Sequence, residues 1–305
     1  MLETLGYVAA FVISTFMMCL NVSQMEAEAK LDHVHNFIGV IWATLLYTFG
    51  RILIYQGFVP LFLKHRPGET VKANKCAQQF MNFFFHGVSS VYLMYSLPRR
   101  AWFASDDALW NLHPEVQDWR DITFYILQMG YHANCLAIHF SEPRREDHHM
   151  MLVHHSSTVI LIVISFMGNY IRGGMCVLLY HDTSDILGCL IKMTNYMGWK
   201  KTTLAIYPNF VIVWIMTRLY YFPRFIMITW GSNLSEHADT AQIVAYPLMW
   251  TLVILHAYWF YLFMKMGWVS LMTKGKDIQD LSEAKLDKER MRLAKGMKPK
   301  ENATI

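Results

Sequence analysis

The chain has 305 residues, of which 54% are apolar and only 16% charged. Soluble domains carry about 25% charged residues, so this is a membrane composition. Its mean hydropathy is positive, and 10 Trp, 16 Tyr and 19 Phe suit membrane–water interfaces and broad apolar helix faces. The formal net charge of +4 comes from clustered basic residues, which excludes a diffuse nucleic-acid-binding surface.

A membrane-crossing helix needs about twenty mostly apolar residues. Eight stretches qualify in chain order, at roughly 4–23, 37–63, 79–97, 121–140, 150–167, 174–191, 204–228 and 241–264. The first carries Glu3 where a secretory signal has basic residues, and no small-residue cleavage pattern follows. It is therefore expected to be a retained helix. Basic residues gather at 64–75 (Lys64, Arg66, Lys72, Lys75), at Arg144–Arg145, at 192–201 (Lys192, Lys200, Lys201) and after Lys265. The segment 229–240 has no Lys or Arg, and 24–36 has one. The loop 98–120 departs slightly, with Arg99, Arg100 and Arg120 offset by acids. Eight spans with both termini in the cytosol satisfy the positive-inside bias.

From Thr273 onward the chain is highly charged without a sustained apolar face, the composition of a solvated cytosolic tail. Sequons at Asn21 and Asn233 are expected on the lumenal side close to helix ends, and a third at Asn302 in the cytosol. Cys19, Cys76, Cys135, Cys176 and Cys189 lie mostly in or beside apolar runs, with neither zinc-site spacing nor disulfide density. They read as buried small hydrophobes.

Chemistry concentrates in the stretch REDHHMMLVHHSSTVILIVISFM, residues 145–167, and in the following MCVLLYHDTSDILGCLIK. An antiparallel hairpin turning near residue 170 puts Asp185 level with about residue 156, beside His155. His154 is then offset by roughly 3 Å of helical rise. His181 and Asp185 are four apart and share a helix face. Polar groups inside a span are costly, about 2.5–3.5 kcal/mol for a charged group near the centre, and they usually face a cavity or one another. His154, His155, His181, Asp182 and Asp185 are therefore the candidate catalytic residues. A carboxylate beside an imidazole makes it a better base or nucleophile, able to deprotonate an amine or hydroxyl or to accept an acyl group. Arg144, Arg145 and Lys192 ring the expected entrance, where they either anchor helix ends or meet phosphates. His148 and His149 read as interfacial residues. The competing chemistry is a di-iron site, but the spacing here is HHxxxxHH with no HxxxH box nearby.

The run RREDHHMMLVHHSSTVILIVISFMGNYIRGGMCVLLYHDTSDILGCLIKMTNYM resembles the signature of the ceramide synthases, within the TLC-domain superfamily. The likeness is carried by Arg144 to Asp147, His154–His155, Arg172, His181-Asp182-x-Ser184-Asp185 and Lys192-Met193-x-Asn195-Tyr196. TRLYYFP at 217–223 and LHAYWFYLFMKM at 255–266 are weaker likenesses, and the whole spans roughly residues 75 to 275. The resemblance implies an all-α polytopic membrane protein of about eight transmembrane helices, six of them in a TLC-type ring around a central lipid cavity. Two N-terminal transmembrane helices occupy 1–70, the TLC catalytic domain 71–272, and the charged tail 273–305.

The implied activity is transfer of a fatty acyl group from long-chain acyl-CoA, the co-substrate, to the amine of a sphingoid base, giving (dihydro)ceramide. No bound cofactor or metal is implied. The location is the endoplasmic reticulum membrane, in contact with membrane lipids and without nucleic acid, and a homo- or hetero-dimer stays open. One histidine of the 154–155 pair either forms an acyl-imidazole or acts as general base, with His181, Asp182 and Asp185 completing the site. Depth alone slightly favours His155. The alternative reading is a non-enzymatic TLC relative, a lipid-sensing or translocation-associated membrane protein, which generally lacks the full HH…HDxxSD set.

Overall fold

The computed structural model describes residues 2–28, 33–103, 105, 109, 118–141, 147–233 and 240–273. The expectations on Arg144–Arg145, on the tail beyond Thr273 and on Asn302 fall outside them, as do the side chains of Cys19, Asn21 and Asn233. Among the described residues the chain is helical, with no strand. The long helices are α1 (Leu2–Glu28), α2 (His33–His65), α3 (Thr70–Ser96), α4 (Trp119–His139), α5 (His148–Met167) and α6 (Ile171–Tyr196). A rod follows, made of α7 (Lys200–Trp214), a π-helical turn (Ile215–Tyr221) and α8 (Phe222–Asn233), and then α9 (Thr240–Met272).

Four helical stretches are long and apolar enough to cross a membrane by length and composition: Asn36–His65, His148–Met167, Lys200–Ile228 and Thr240–Met272. A shorter apolar stretch, Gly6–Met18, lies in α1. The other expected spans, in α3, α4 and α6, are helical but diluted by polar side chains such as Gln79, Gln128 and Asp182. Those side chains point inward. In α3, Gln79, His86, Ser89 and Ser90 are buried, while Phe84, Val88, Val91 and Tyr95 are 56–69% exposed. Their spacing of four, three and four makes one stripe along the helix. Apolar outside and polar inside is the reverse of a soluble amphipathic helix, and it suits a rod between lipid and a polar interior.

The packing is centred on α6, which runs along α3 on one side and meets α7 and the π turn on the other. α2 packs on α1, α3 and α4, while α5 lies against α4 and α9. Leu93, Tyr125, Ile126, Phe166, Ile171 and Met175 are fully buried and join α3, α4, α5 and α6 in one core. Close approach of α2 and α4 depends on Gly130, where an added methyl carbon would lie 2.5 Å from Ala43 Cβ and 2.9 Å from the Thr44 nitrogen. Gly130→Ala is therefore expected to push the two backbones apart and to cost about 1–3 kcal/mol. A melting temperature in detergent equal to the parent's would contradict that packing.

The turn between α5 and α6 is built by GNY. Gly168 N–H donates to the Ile164 carbonyl (2.8 Å) and Tyr170 N–H to the Ser165 carbonyl (2.6 Å). Asn169 sits at φ 61°, a left-handed conformation that asparagine tolerates better than most residues. The two helices do not then zip together as the simple hairpin requires. Tyr125 of α4 reaches between them: its hydroxyl bonds Ser165 Oγ of α5 (3.0 Å) and fills the space over Gly174 of α6. Gly174 thus serves a steric purpose, since a methyl there would overlap that hydroxyl.

Candidate active site

The HDTSD segment of α6 sends its side chains to three different neighbours, as 100° per residue demands. Asp182, 1% exposed, faces α3 and α4. His86 Nδ1 donates to its Oδ1 (2.9 Å), while the Ser89 hydroxyl and Gln128 Nε2 (3.2 Å) donate to its Oδ2. Gln128 Nε2 also donates to Ser89 Oγ (2.6 Å). The other His86 nitrogen lies 3.4 Å from the Tyr131 hydroxyl and 4.0 Å from Asp185 Oδ2. This network pins α6 to the α3–α4 side with charge-assisted hydrogen bonds in a dry environment.

Asp185 faces the opposite rod. Arg218 Nη2 donates to Asp185 Oδ1 (2.6 Å) and to the His181 carbonyl (2.8 Å), and Arg218 Nε donates to Ser184 Oγ (2.9 Å). Nη1 donates to His256 Nε2 of α9 (2.9 Å), which leaves the His256 proton on Nδ1. The guanidinium also lies 4.8 Å from the Trp214 ring centroid. Arg218 reaches all of these because it sits in the π turn that precedes Pro223. Proline has no N–H, and its ring crowds the carbonyl four residues back, so a widened turn relieves both faults.

The imidazoles stand beside this pair. His181 Nδ1 donates to the Val177 carbonyl (2.7 Å), and its ring centroid is 4.7 Å from Phe222 and 4.9 Å from His256. His154 lies 5.5 Å from His155, 5.2 Å from Trp259 and 6.4 Å from His256, ring to ring. Two cavities open around them. A wide one of about 540 Å³ is lined by His139, His148, His155, Lys192, Arg51 and Trp259 among others. A narrow one of about 130 Å³ runs past His181, Leu161, Val177, Phe225 and Leu252. Four residues line both: His132, His154, Asp185 and Arg218. Buried volume of this order, mostly apolar with a few convergent polar groups, is the usual form of a small-ligand site.

Four of the five candidate residues, His154, His181, Asp182 and Asp185, line the narrow cavity, and His155 lines the wide one beside His154. His154 and Asp185 stand at the junction. Asp182 also borders the narrow cavity, but both its oxygens bond groups on α3 and α4. Neither carboxylate bonds His154; Asp182 pairs with His86 and Asp185 with Arg218. Lys192 lines the wide cavity, His148 is half-buried along it, and His149 is exposed. Among the described residues no group of three or more His, Cys, Asp or Glu is arranged to hold a metal ion. Cys76, Cys135, Cys176 and Cys189 form no disulfide bond.

His86, Gln128, His132, Arg218 and His256 were not singled out from sequence. Each is a polar residue within an otherwise apolar or helical run, and that rarity was an available signal, joined for Arg218 and His256 by the likenesses at 217–223 and 255–266 that contain them.

A family model described as TLC domain matches residues 75–265. Human ceramide synthase 3 is 27% identical over 225 residues, covering 72% of this chain and 56% of the relative. Arabidopsis thaliana ceramide synthase 1 LOH3 is 30% identical over 199 residues, covering 59% and 64% respectively. The sphingosine N-acyltransferase lac1 of Schizosaccharomyces pombe is 27% identical over 256 residues, covering 76% and 65%. The chain thus spans between half and two thirds of the length of these relatives. The matched segment contains every side chain of the junction and more than half of the sequence, and the chain belongs to the TLC domain family.

Proposed function

We propose that the protein is a ceramide synthase, transferring a fatty acyl group from acyl-CoA to the amine of a sphingoid base. The observation that carries this is the meeting of two cavities at His154, Asp185 and Arg218. The wide cavity, with Lys192 and Arg51 on its wall, suits a CoA thioester. The narrow apolar one suits the first carbons of the acyl tail, so that the thioester carbon lies at the junction. The names of the relatives support the same reading.

In the favoured sequence an imidazole nitrogen of His154 attacks the thioester carbon and the C–S bond breaks. CoA leaves as the thiol, having taken up a proton, and an acyl-imidazole remains. The sphingoid amine then enters the vacated wide cavity, attacks the acyl carbon and loses a proton, restoring the imidazole. Arg218 brings fixed positive charge to the junction, where the thioester oxygen gains negative charge. Asp185 neutralises and orients that guanidinium, and His181 borders the tail. Asp182 holds the helix carrying both. Direct attack by the amine, with His154 or His155 as general base, is the alternative chemistry.

On this reading α3, α4, α5, α6, the α7–α8 rod and α9 make a six-membered ring around the cavities, and residues 71–272 are the catalytic unit. The protein sits in the endoplasmic reticulum membrane with both termini in the cytosol. It works without a bound cofactor and draws the sphingoid base from the bilayer.

The test uses membranes from a sphingolipid-deficient host expressing the chain, supplied with labelled sphinganine and acyl-CoAs of several lengths. Mass spectrometry is expected to detect N-acylated base; none with any acyl-CoA sinks the reading. Labelled acyl-CoA alone separates the two mechanisms, since only the two-step route leaves acyl label on the peptide containing His154.

A further inference from the structure

We infer that a file of histidines along the wide cavity is a proton relay between the reacting junction and the membrane surface. From the inside outward it runs His154, His155, His139, His148 and His149. Successive ring centroids are 5.5, 5.6, 4.3 and 5.5 Å apart. At its inner end, His256 and then His181 continue the row at 6.4 and 4.9 Å. Seven of the chain's 14 histidines thus follow one another as neighbours across α4, α5, α6 and α9. Sequence gave His139 no role, and it is the ring that bridges the two histidine pairs of α5.

A packing explanation alone is insufficient. Phenylalanine fills the same space without the cost of polar nitrogens in an apolar setting. His139 Nε2, His154 Nδ1, His181 Nε2 and His256 Nδ1 are buried without a hydrogen-bond partner among the described residues. The free nitrogens of His139, His154 and His181 are therefore open to a proton or a bridging water, and the His256 Nδ1–H to a bridging water.

The proposal rests on the acyl-transfer reading, whose balance requires an exit for protons. An aliphatic amine as basic as lysine is ammonium at neutral pH. Thioester plus ammonium gives amide, thiol and one proton. The C–S bond breaks, the C–N bond forms, one ammonium proton ends on sulfur and one must leave. Whichever substrate fills the wide cavity, acyl-CoA or then the sphingoid base, displaces the water that would otherwise carry it, whereas the wall imidazoles His155, His139 and His148 stay in place. Direction is set by charge. Arg218 faces the inner end through His256 and repels a proton there, with Asp185 bound to it. Arg51, Asp147 and Lys192 are the other charged groups lining the wide cavity, and His149 at the outer end is exposed.

His139→Phe keeps a ring against His148 and removes the transferable proton. Its kcat is expected to fall on the order of tenfold, with a larger solvent deuterium isotope effect and an unchanged KM for acyl-CoA. His139→Ala opens space, and added imidazole is expected to restore its turnover while leaving His139→Phe unaffected. Parent-like kcat and isotope effect in His139→Phe overturn the relay. So does a slow His139→Ala that imidazole does not rescue, because the ring then acts by packing. If position 139 does not tolerate substitution, His148→Phe and His148→Ala carry the same comparison. A parent protein that makes no ceramide overturns the acyl-transfer reading itself, and the relay with it.

Discussion

His154→Ala is expected to lower ceramide formation by on the order of 10²–10⁴-fold while the protein stays in the membrane at near-parent abundance. Four residues border both cavities, and two of them are unsuited to covalent chemistry. Arg218 is a guanidinium, and Asp185 is held by it at 2.6 Å. Of the two imidazoles left, His154 is the one adjoining His155, Trp259 and His256, on a helix whose neighbours surround the junction. Its loss removes one partly buried ring and no buried charge, so the thermal midpoint is expected to move only modestly. His155→Ala is the comparison. That residue borders the wide cavity alone, and its loss is expected to slow turnover about tenfold, as an interrupted relay does. Rates from the two variants, measured on membranes matched for protein, check the ranking. If His155→Ala proves the inactive one and His154→Ala works normally, the junction has been wrongly assigned.

Asp182→Ala is expected to fail in a different way, by unfolding. Removing this carboxylate strips the acceptor from His86, Ser89 and Gln128 together, all three buried. Breaking a buried charged pair by deleting one partner costs about 3–5 kcal/mol, a large share of the stability of a typical domain. The variant should melt well below the parent in detergent and accumulate poorly in membranes. Asp182→Asn, which keeps an acceptor oxygen, should fall between the two. An Asp182→Ala protein with parent abundance and melting behaviour, yet no activity, would move Asp182 from holding the helix to the chemistry. The two substitutions therefore separate residues that the HDxxSD pattern groups together.

Much of the architecture was legible because it depends on local periodicity. Apolar runs of span length are helical, and His181 and Asp185 fall on one face because they are four apart. The polar content of α3, α4 and α6 leaves these expected spans short of the apolar composition of the other four, and it comes from the residues that build the site, including Gln79, His86, Gln128 and Asp182. What a single chain of letters could not supply was the choice of partners. Asp182 bonds side chains 96, 93 and 54 positions away, and Asp185 bonds one 33 positions away. Which faces meet is decided by helix packing: by Tyr125 keeping α5 and α6 apart, and by a π turn before Pro223 that brings Arg218 inward. The cavities are the space left by that packing, so their junction at His154 exists only once all of the helices are assembled.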